Sequence, residues 1–179
     1  MPGEAPLPYD LLPEVATFSL ESDEIADGAP IPLAQTAGSG VGRPGDDVSP
    51  SLRWSGAPEG TRSFVVTCYD PDAPTGSGFW HWVLVDVPAD VTELPAGAGS
   101  GDALPGGAFH VANDAGLKRY VGPFPPPGHG PHRYAFAVHA VDVDSLGVDD
   151  SVSPAVVGFN LWQHTLGRAV LVATYAYDE

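Results

Sequence analysis

Two stretches about fifty residues apart hold most of the residue types in this chain that could do chemistry. The first is Asp70-Pro71-Asp72-Ala73-Pro74, followed by Trp80-His81-Trp82. The second is Gly122-Pro123-Phe124-Pro125-Pro126, followed by His132-Arg133-Tyr134. Each lies at the edge of a strongly apolar run. Each therefore places acids, imidazoles and stiff proline turns at a strand end, where loops on a rigid scaffold build binding sites. Pro71 and Pro74 fix their own φ and push the preceding residues towards extended backbone, which makes a rigid lip able to hold a carboxylate in place. Taken singly, Asp70 and Asp72 read as turn acids bonding to nearby backbone N–H groups; Asp72, between two prolines, keeps that reading. His81, among Trp80, Trp82 and Val83, must have its ring nitrogens satisfied or face a cavity.

An aspartate and two histidines, Asp70, His81 and His132, converging at strand ends suit three tasks: binding an anionic head group, holding a metal, or acid–base chemistry. The metal alternative is poorly served, since His129 and His132 are separated by Gly130-Pro131 and no second cluster accompanies them. A nucleophilic hydrolase is poorly served too: there is no Gly-x-Ser-x-Gly elbow, and the sole cysteine, Cys68, falls in mid-strand, where a buried inert thiol is expected. A cavity walled by proline, tryptophan and tyrosine with a few fixed polar groups reads as a binding site. No catalytic residue, metal or cofactor is assigned; a protein–protein module such as a kinase or protease inhibitor, its pocket incidental, is the contrasting class and a weak enzyme the third.

The elements that must position these residues are mostly strands. Ser63–Asp70, Trp80–Val87 and Tyr134–Val143 are nearly continuous in apolar and β-branched residues, as expected of strands covered on both faces. Val15–Leu20 and Ile31–Leu33 read as short strands, and a further short one is expected near Ala108–Val111 within the glycine-rich crossover Pro88–Ala112. Gly38–Asp47 is a loop; its glycines superficially resemble a phosphate cradle, but no strand precedes it and no helix follows. One helix is expected, capped by Ser153 with Pro154 at its first position and Gly167 as its stop, followed by a last strand, Arg168–Tyr177. Residues 1–14 read as an extended surface arm and residues 15–179 as one domain: a mainly antiparallel β-sandwich with a short helix near the C-terminus.

At 179 residues the chain can bury a substantial core, and its 22 glycines and 20 prolines imply many turns. Twenty-three acids face seven bases, of which only Lys118 is a lysine. A formal net charge of −16 argues against nucleic acid or an anionic membrane as partner. The acids are scattered, which reads first as a solvated surface; a high-salt cytoplasm and a cationic partner are the alternatives. No stretch is apolar for long enough to span a bilayer, and the first residues lack the pattern of a signal peptide, so a cytoplasmic protein is expected.

Together the motifs resemble the phosphatidylethanolamine-binding proteins, also called Raf kinase inhibitor-like proteins. Asp70 to Pro74, His81, Gly122-Pro123 and His132-Arg133-Tyr134 carry the resemblance, and Ser49-Pro50-Ser51-Leu52-Arg53-Trp54 with Ser63-Phe64 match the bacterial and archaeal, YbhB/YbcL-type branch. The likeness runs from about Val15 to Tyr175. It implies a central antiparallel sheet flanked by a smaller one in Greek-key order, and a cavity at the sheet edge that accepts phosphate, acetate or a phosphorylated head group. By position, Asp70, His81 and His132 would be the polar lining, with Asp70 orienting an imidazole, and Pro74, Trp80, Gly122, Pro123 and Tyr134 the walls and mouth. Bacterial relatives often pair as homodimers, which leaves self-association open here, and in the alternative reading a protein partner such as a kinase or protease is met at the cavity rim. The short Pro74–Trp80 turn and the proline- and glycine-rich Phe124–Pro131 depart from the animal members and reshape the rim, so kinase inhibition is not assumed and stays an alternative. The helix lacks the tyrosine that some eukaryotic members bring to the mouth, which leaves Tyr175 and Tyr177 as substitutes.

Overall fold

In the computed structural model, which describes residues 4–101 and 103–177, strands form where the apolar runs are longest. The first three residues of the expected arm and the last two of the chain lie outside this range. Among the described residues nine strands and one α-helix follow in the order β1 (Ala16–Thr17), β2 (Ser19–Glu21), β3 (Leu52–Ser55), β4 (Ser63–Asp70), β5 (Phe79–Pro88), β6 (Glu93–Leu94), β7 (Phe109–His110), β8 (His132–Val141), α1 (Pro154–His164) and β9 (Thr165–Tyr175). The large sheet has the order β1-β9-β8-β4-β5-β7 and the small one β2-β3-β6. All pairs are antiparallel except β1 with β9. β4 and β5 form a hairpin, and a long connection returns β8 to the other side of β4, which is the Greek-key step.

The central strands are covered on both faces. Phe64, Val66, Cys68, Trp82, Tyr134 and Phe136 pack with Leu52, Trp54 and Leu94 of the small sheet. On the opposite face Val65, Val83, Val85 and Val141 pack with Val157 and Leu161 of α1. Alternation assigns each side chain to one core or the other, save at two bulges in β5. At the first, Cys68 pairs with Trp82 but Tyr69 with Trp80, so His81 is the extra residue. At the second, Asp86 takes φ +58° and accepts hydrogen bonds from the Leu146 N–H and the Ser145 hydroxyl.

Several local expectations are corrected. Val15–Leu20 is two strands, one in each sheet, with Phe18 between them packed against the first core. Ile31–Leu33 is not a strand. Pro30 and Pro32 have no N–H for a ladder, so only an isolated bridge from Pro30 to Thr174 forms before a 3-10 turn at Leu33–Gln35. The arm is not extended throughout, since Pro8–Leu11 makes a 3-10 turn. The Ser153 hydroxyl caps α1 by accepting the Val156 N–H, with Pro154 at the first position. The helix ends at His164, before Gly167, because β9 begins at once to pair with β8. Gly167 sits opposite Ala16, where a Cβ would come within 2.7 Å of the Pro58 ring and 3.0 Å of the Ala16 carbonyl oxygen. Among the described residues no helix is long and apolar enough to cross a membrane.

Where β5 meets β7, the Trp82 indole N–H donates to Nε2 of His110 at 2.9 Å, so that nitrogen must be unprotonated. Burial pushes the His110 imidazole down to about 4. An unfolded histidine titrates near 6.5, so the stability held by neutral His110 is complete above that pH and drains away as pH falls towards 4. Urea unfolding should accordingly lose stability between pH 7 and 5, with about 1–2 kcal/mol from this residue after discounting for its partial exposure. His110→Gln should flatten the slope; an unchanged slope would assign the loss to other groups.

Candidate functional site

A cavity of about 350 Å³ opens where β4 ends and β8 begins. Asp70, the last residue of β4, and His132, the first of β8, are both buried and meet across the sheet end. His132 Nδ1–H donates to Asp70 Oδ2 at 2.7 Å, and the Asp72 N–H donates to Asp70 Oδ1 at 2.8 Å. His132 Nε2 lies 2.6 Å from Nδ1 of the exposed His129, so a single proton bridges the two rings. Asp70 therefore orients an imidazole, as the resemblance implied, and also carries the turn bond expected of Asp72. Asp72 instead clamps Arg133. Its Oδ2 accepts from Arg133 Nε and backbone N–H, both at 2.9 Å, and its Oδ1 from Nη2 at 2.7 Å. Partial burial alone would raise the Asp72 carboxyl, but the Arg133 hydrogen bonds prevail and hold it below the usual carboxylate range.

His81 reaches the cavity because of the bulge. The extra residue puts Phe79, His81 and Trp82 on one face of β5 and Trp80 on the other. Its Nδ1–H donates to the Val121 carbonyl at 2.9 Å, and its ring packs edge-on to Tyr134 and Phe124. Burial lowers its pKa and keeps it neutral, so its Nε2 is an acceptor. Burial and the nearby Asp70 carboxylate raise the Tyr134 phenol, whose oxygen finds no hydrogen-bond partner among the described residues.

Of the expected lining, Asp70, Pro74, His81, His132 and Tyr134 surround the cavity; Trp80, Gly122 and Pro123 do not. Trp80 is turned to the second core by the bulge. Gly122 and Pro123 stand behind the wall. A Cβ on Gly122 would lie 2.2 Å from the Thr36 carbonyl carbon, its N–H donates to Asp47 Oδ1 at 2.8 Å, and the Pro123 carbonyl accepts the Ala37 N–H at 3.0 Å. Asp47 Oδ2 also accepts the Gly38 N–H, so the glycine-rich loop braces the second motif. Residues not anticipated also line the cavity, among them Phe79, Phe124 and Arg43. Phe79 lies two residues before His81 and was readable from strand alternation. Arg43 comes from the loop set aside as a false phosphate cradle, and its guanidinium sits 4.2 Å from the Tyr177 ring centre. Neither candidate tyrosine lines the cavity: Tyr177 sits beside Arg43, and Tyr175 pairs with His132 across β8 and β9 and packs against the first core. No cluster of three His, Cys, Asp or Glu residues able to hold a metal occurs among the described residues.

A family model described as phosphatidylethanolamine-binding protein matches residues 21–176. The chain belongs to this family. Among the relatives of this phosphatidylethanolamine-binding family member, the UPF0098 protein YbhB of Escherichia coli is 48% identical over 160 residues, covering 89% of this chain and all of that protein. The crystal structure of E. coli YbcL, described as a new member of the mammalian family, superposes with a TM-score of 0.86 at 45% identity, over 90% of this chain and 99% of that one. A Mycobacterium tuberculosis relative whose name designates it a lipoprotein is 32% identical over 165 residues, 91% of this chain and 74% of that protein.

The close approach at Gly122 yields a test. Gly122→Ala drives a methyl into backbone and should cost roughly 1–3 kcal/mol in thermal or urea unfolding, with loosened Phe124 and His81 signals. Gly107→Ala, where a Cβ meets nothing within 4 Å, should be nearly neutral.

Proposed function

We propose that this protein binds small anions, inorganic phosphate or a phosphorylated head group, in the cavity between Asp70, His81 and His132, and that it binds without transforming them. The observation that carries this reading is the pair of imidazoles fixed by their Nδ1–H groups, one on Asp70 and one on the Val121 carbonyl. Phe79, Phe124 and Pro74 supply the apolar surround, and Arg43 supplies a cation at the rim. Short contacts of this kind hold an anion despite a net charge of −16, because most of the acids are distant and screened. Binding rather than catalysis is favoured by the hydrogen bonding: no cavity hydroxyl is bonded to either imidazole among the described residues, so no nucleophile is paired with a base.

Neutral His81 offers Nε2 as an acceptor, so an anion must bring a proton to it, either as its own acidic hydroxyl or by protonating the ring. Affinity for phosphoethanolamine should therefore rise as pH falls from 7.5 to 6. Nitrogen-detected NMR of His81 and His132 at millimolar phosphoethanolamine should show both rings moving. The anion would take the place of the exposed His129 on His132 Nε2, the shared proton staying on His132, so His132→Ala should weaken binding roughly tenfold or more, the loss of one charge-assisted hydrogen bond of about 1.5–3 kcal/mol. Unmoved ring signals would sink the proposal.

A further inference from the structure

A second cavity, of about 300 Å³, lies on the opposite face of the large sheet. The Pro8–Leu11 turn closes it on one side, α1 walls it with Val157 and Leu161, and Trp80 and Val83 come from β5. Against this apolar lining stands Arg168 of β9, only 8% exposed. Its Nε–H donates to His139 Nδ1 at 3.1 Å, and His139 Nε2–H in turn donates to the Thr67 hydroxyl at 3.0 Å. The Tyr9 ring covers the guanidinium at 4.7 Å. These contacts use one N–H and one π face. The four N–H bonds of its two Nη nitrogens have no protein acceptor among the described residues.

This is unusual in so acidic a chain. Five of the seven basic residues, Arg53, Arg62, Lys118, Arg119 and Arg133, have a carboxylate within 4.0 Å. The other two, Arg43 and Arg168, have none among the described residues, and each lines one of the two cavities. A guanidinium stays charged when buried, and a buried charge without an anion is costly.

We propose that the second cavity binds a monocarboxylate with a linear apolar tail, its carboxylate forked onto the Nη edge of Arg168 and its tail between Leu12, Val157 and Leu161. One cation neutralises one negative charge, and His139 adds none, because its Nδ1 is already an acceptor. A phosphate monoester dianion would leave a charge buried and unpaired. The other polar side chains of the lining, Tyr9, Thr67 and His139, are hydrogen-bonded to one another, and most of the rest is apolar, which offers little to the hydroxyls of a sugar. At roughly 30 Å³ for each heavy atom of a liquid, the volume takes about ten such atoms, the size of octanoate.

Isothermal titration of the intact chain with octanoate tests this. Saturable one-to-one binding is expected, with octanol and acetate each roughly tenfold weaker or more, since one lacks the charge and the other the tail. Arg168→Gln should weaken octanoate to a similar degree. Gly158→Leu should do the same from another direction. Gly158 lines the cavity from within α1, and a Cβ there meets no atom within 4 Å, so the new side chain fills the space while the helix gains a better helix former. If thermal unfolding shows Arg168→Gln to be misfolded, Gly158→Leu decides. Saturating phosphoethanolamine should leave octanoate affinity unchanged. The proposal is overturned by absence of saturable binding, by octanol binding as tightly as octanoate, by Gly158→Leu binding like the parent chain, or by competition with phosphoethanolamine.

Discussion

Where β4 leaves the large sheet and β8 enters it, Asp70 and His132 share a hydrogen bond of 2.7 Å, and each side chain is 3% exposed. A carboxylate buried to that degree must have its lone pairs satisfied, and here they are: one oxygen takes the imidazole and the other the Asp72 N–H. The antiparallel register of β4 with β8, Tyr69 opposite Ala135, is what brings the two ends together. That register in turn is held because both faces of both strands are buried, so a slip by one residue would exchange the two cores. The site is thus a direct consequence of how the sheet is covered. The turn after Asp70 is pinned as firmly, for Arg133, the next residue of β8, grips Asp72 with side chain and backbone together.

The second motif is supported differently. Its backbone passes so near Thr36 and Ala37 that only a glycine fits at 122, and the Asp47 carboxylate, itself at φ +54°, bonds to Gly122 and Gly38 at once. A loop whose regular structure is one 3-10 turn, Ser39–Val41, therefore braces Phe124 and the carbonyl that orients His81. Residues that look like lining in a linear motif are here the bracing behind it.

How much of this could be read from the chain depends on the length of the signal. β4, β5, β8 and α1 were legible because eight or more residues of continuous apolar character, or a Ser-Pro cap, are strong local statements. β3 and β6 were not, being four and two residues long and held by pairing with distant partners. Asp70, His81 and His132 were legible as a set from residue type and position. The role of Trp80 was misread because a bulge is a property of two strands and leaves no mark in one. Asp72 was misread because its partner, Arg133, lies sixty-one residues away. Arg43 was hidden in a loop whose glycines pointed to a different chemistry.

The bulge at His81 has a further consequence. Trp80 and His81 are consecutive, yet one faces the cavity beside α1 and the other the cavity at the strand end. One peptide unit is thus the partition between two chambers on opposite sides of a sheet. Removing His81, the extra residue, would restore strict alternation while Trp80 kept its place opposite Tyr69, so the chamber at the strand end would lose its imidazole and the one beside α1 would keep its indole. A deletion at that point empties one chamber and leaves its neighbour across the sheet untouched.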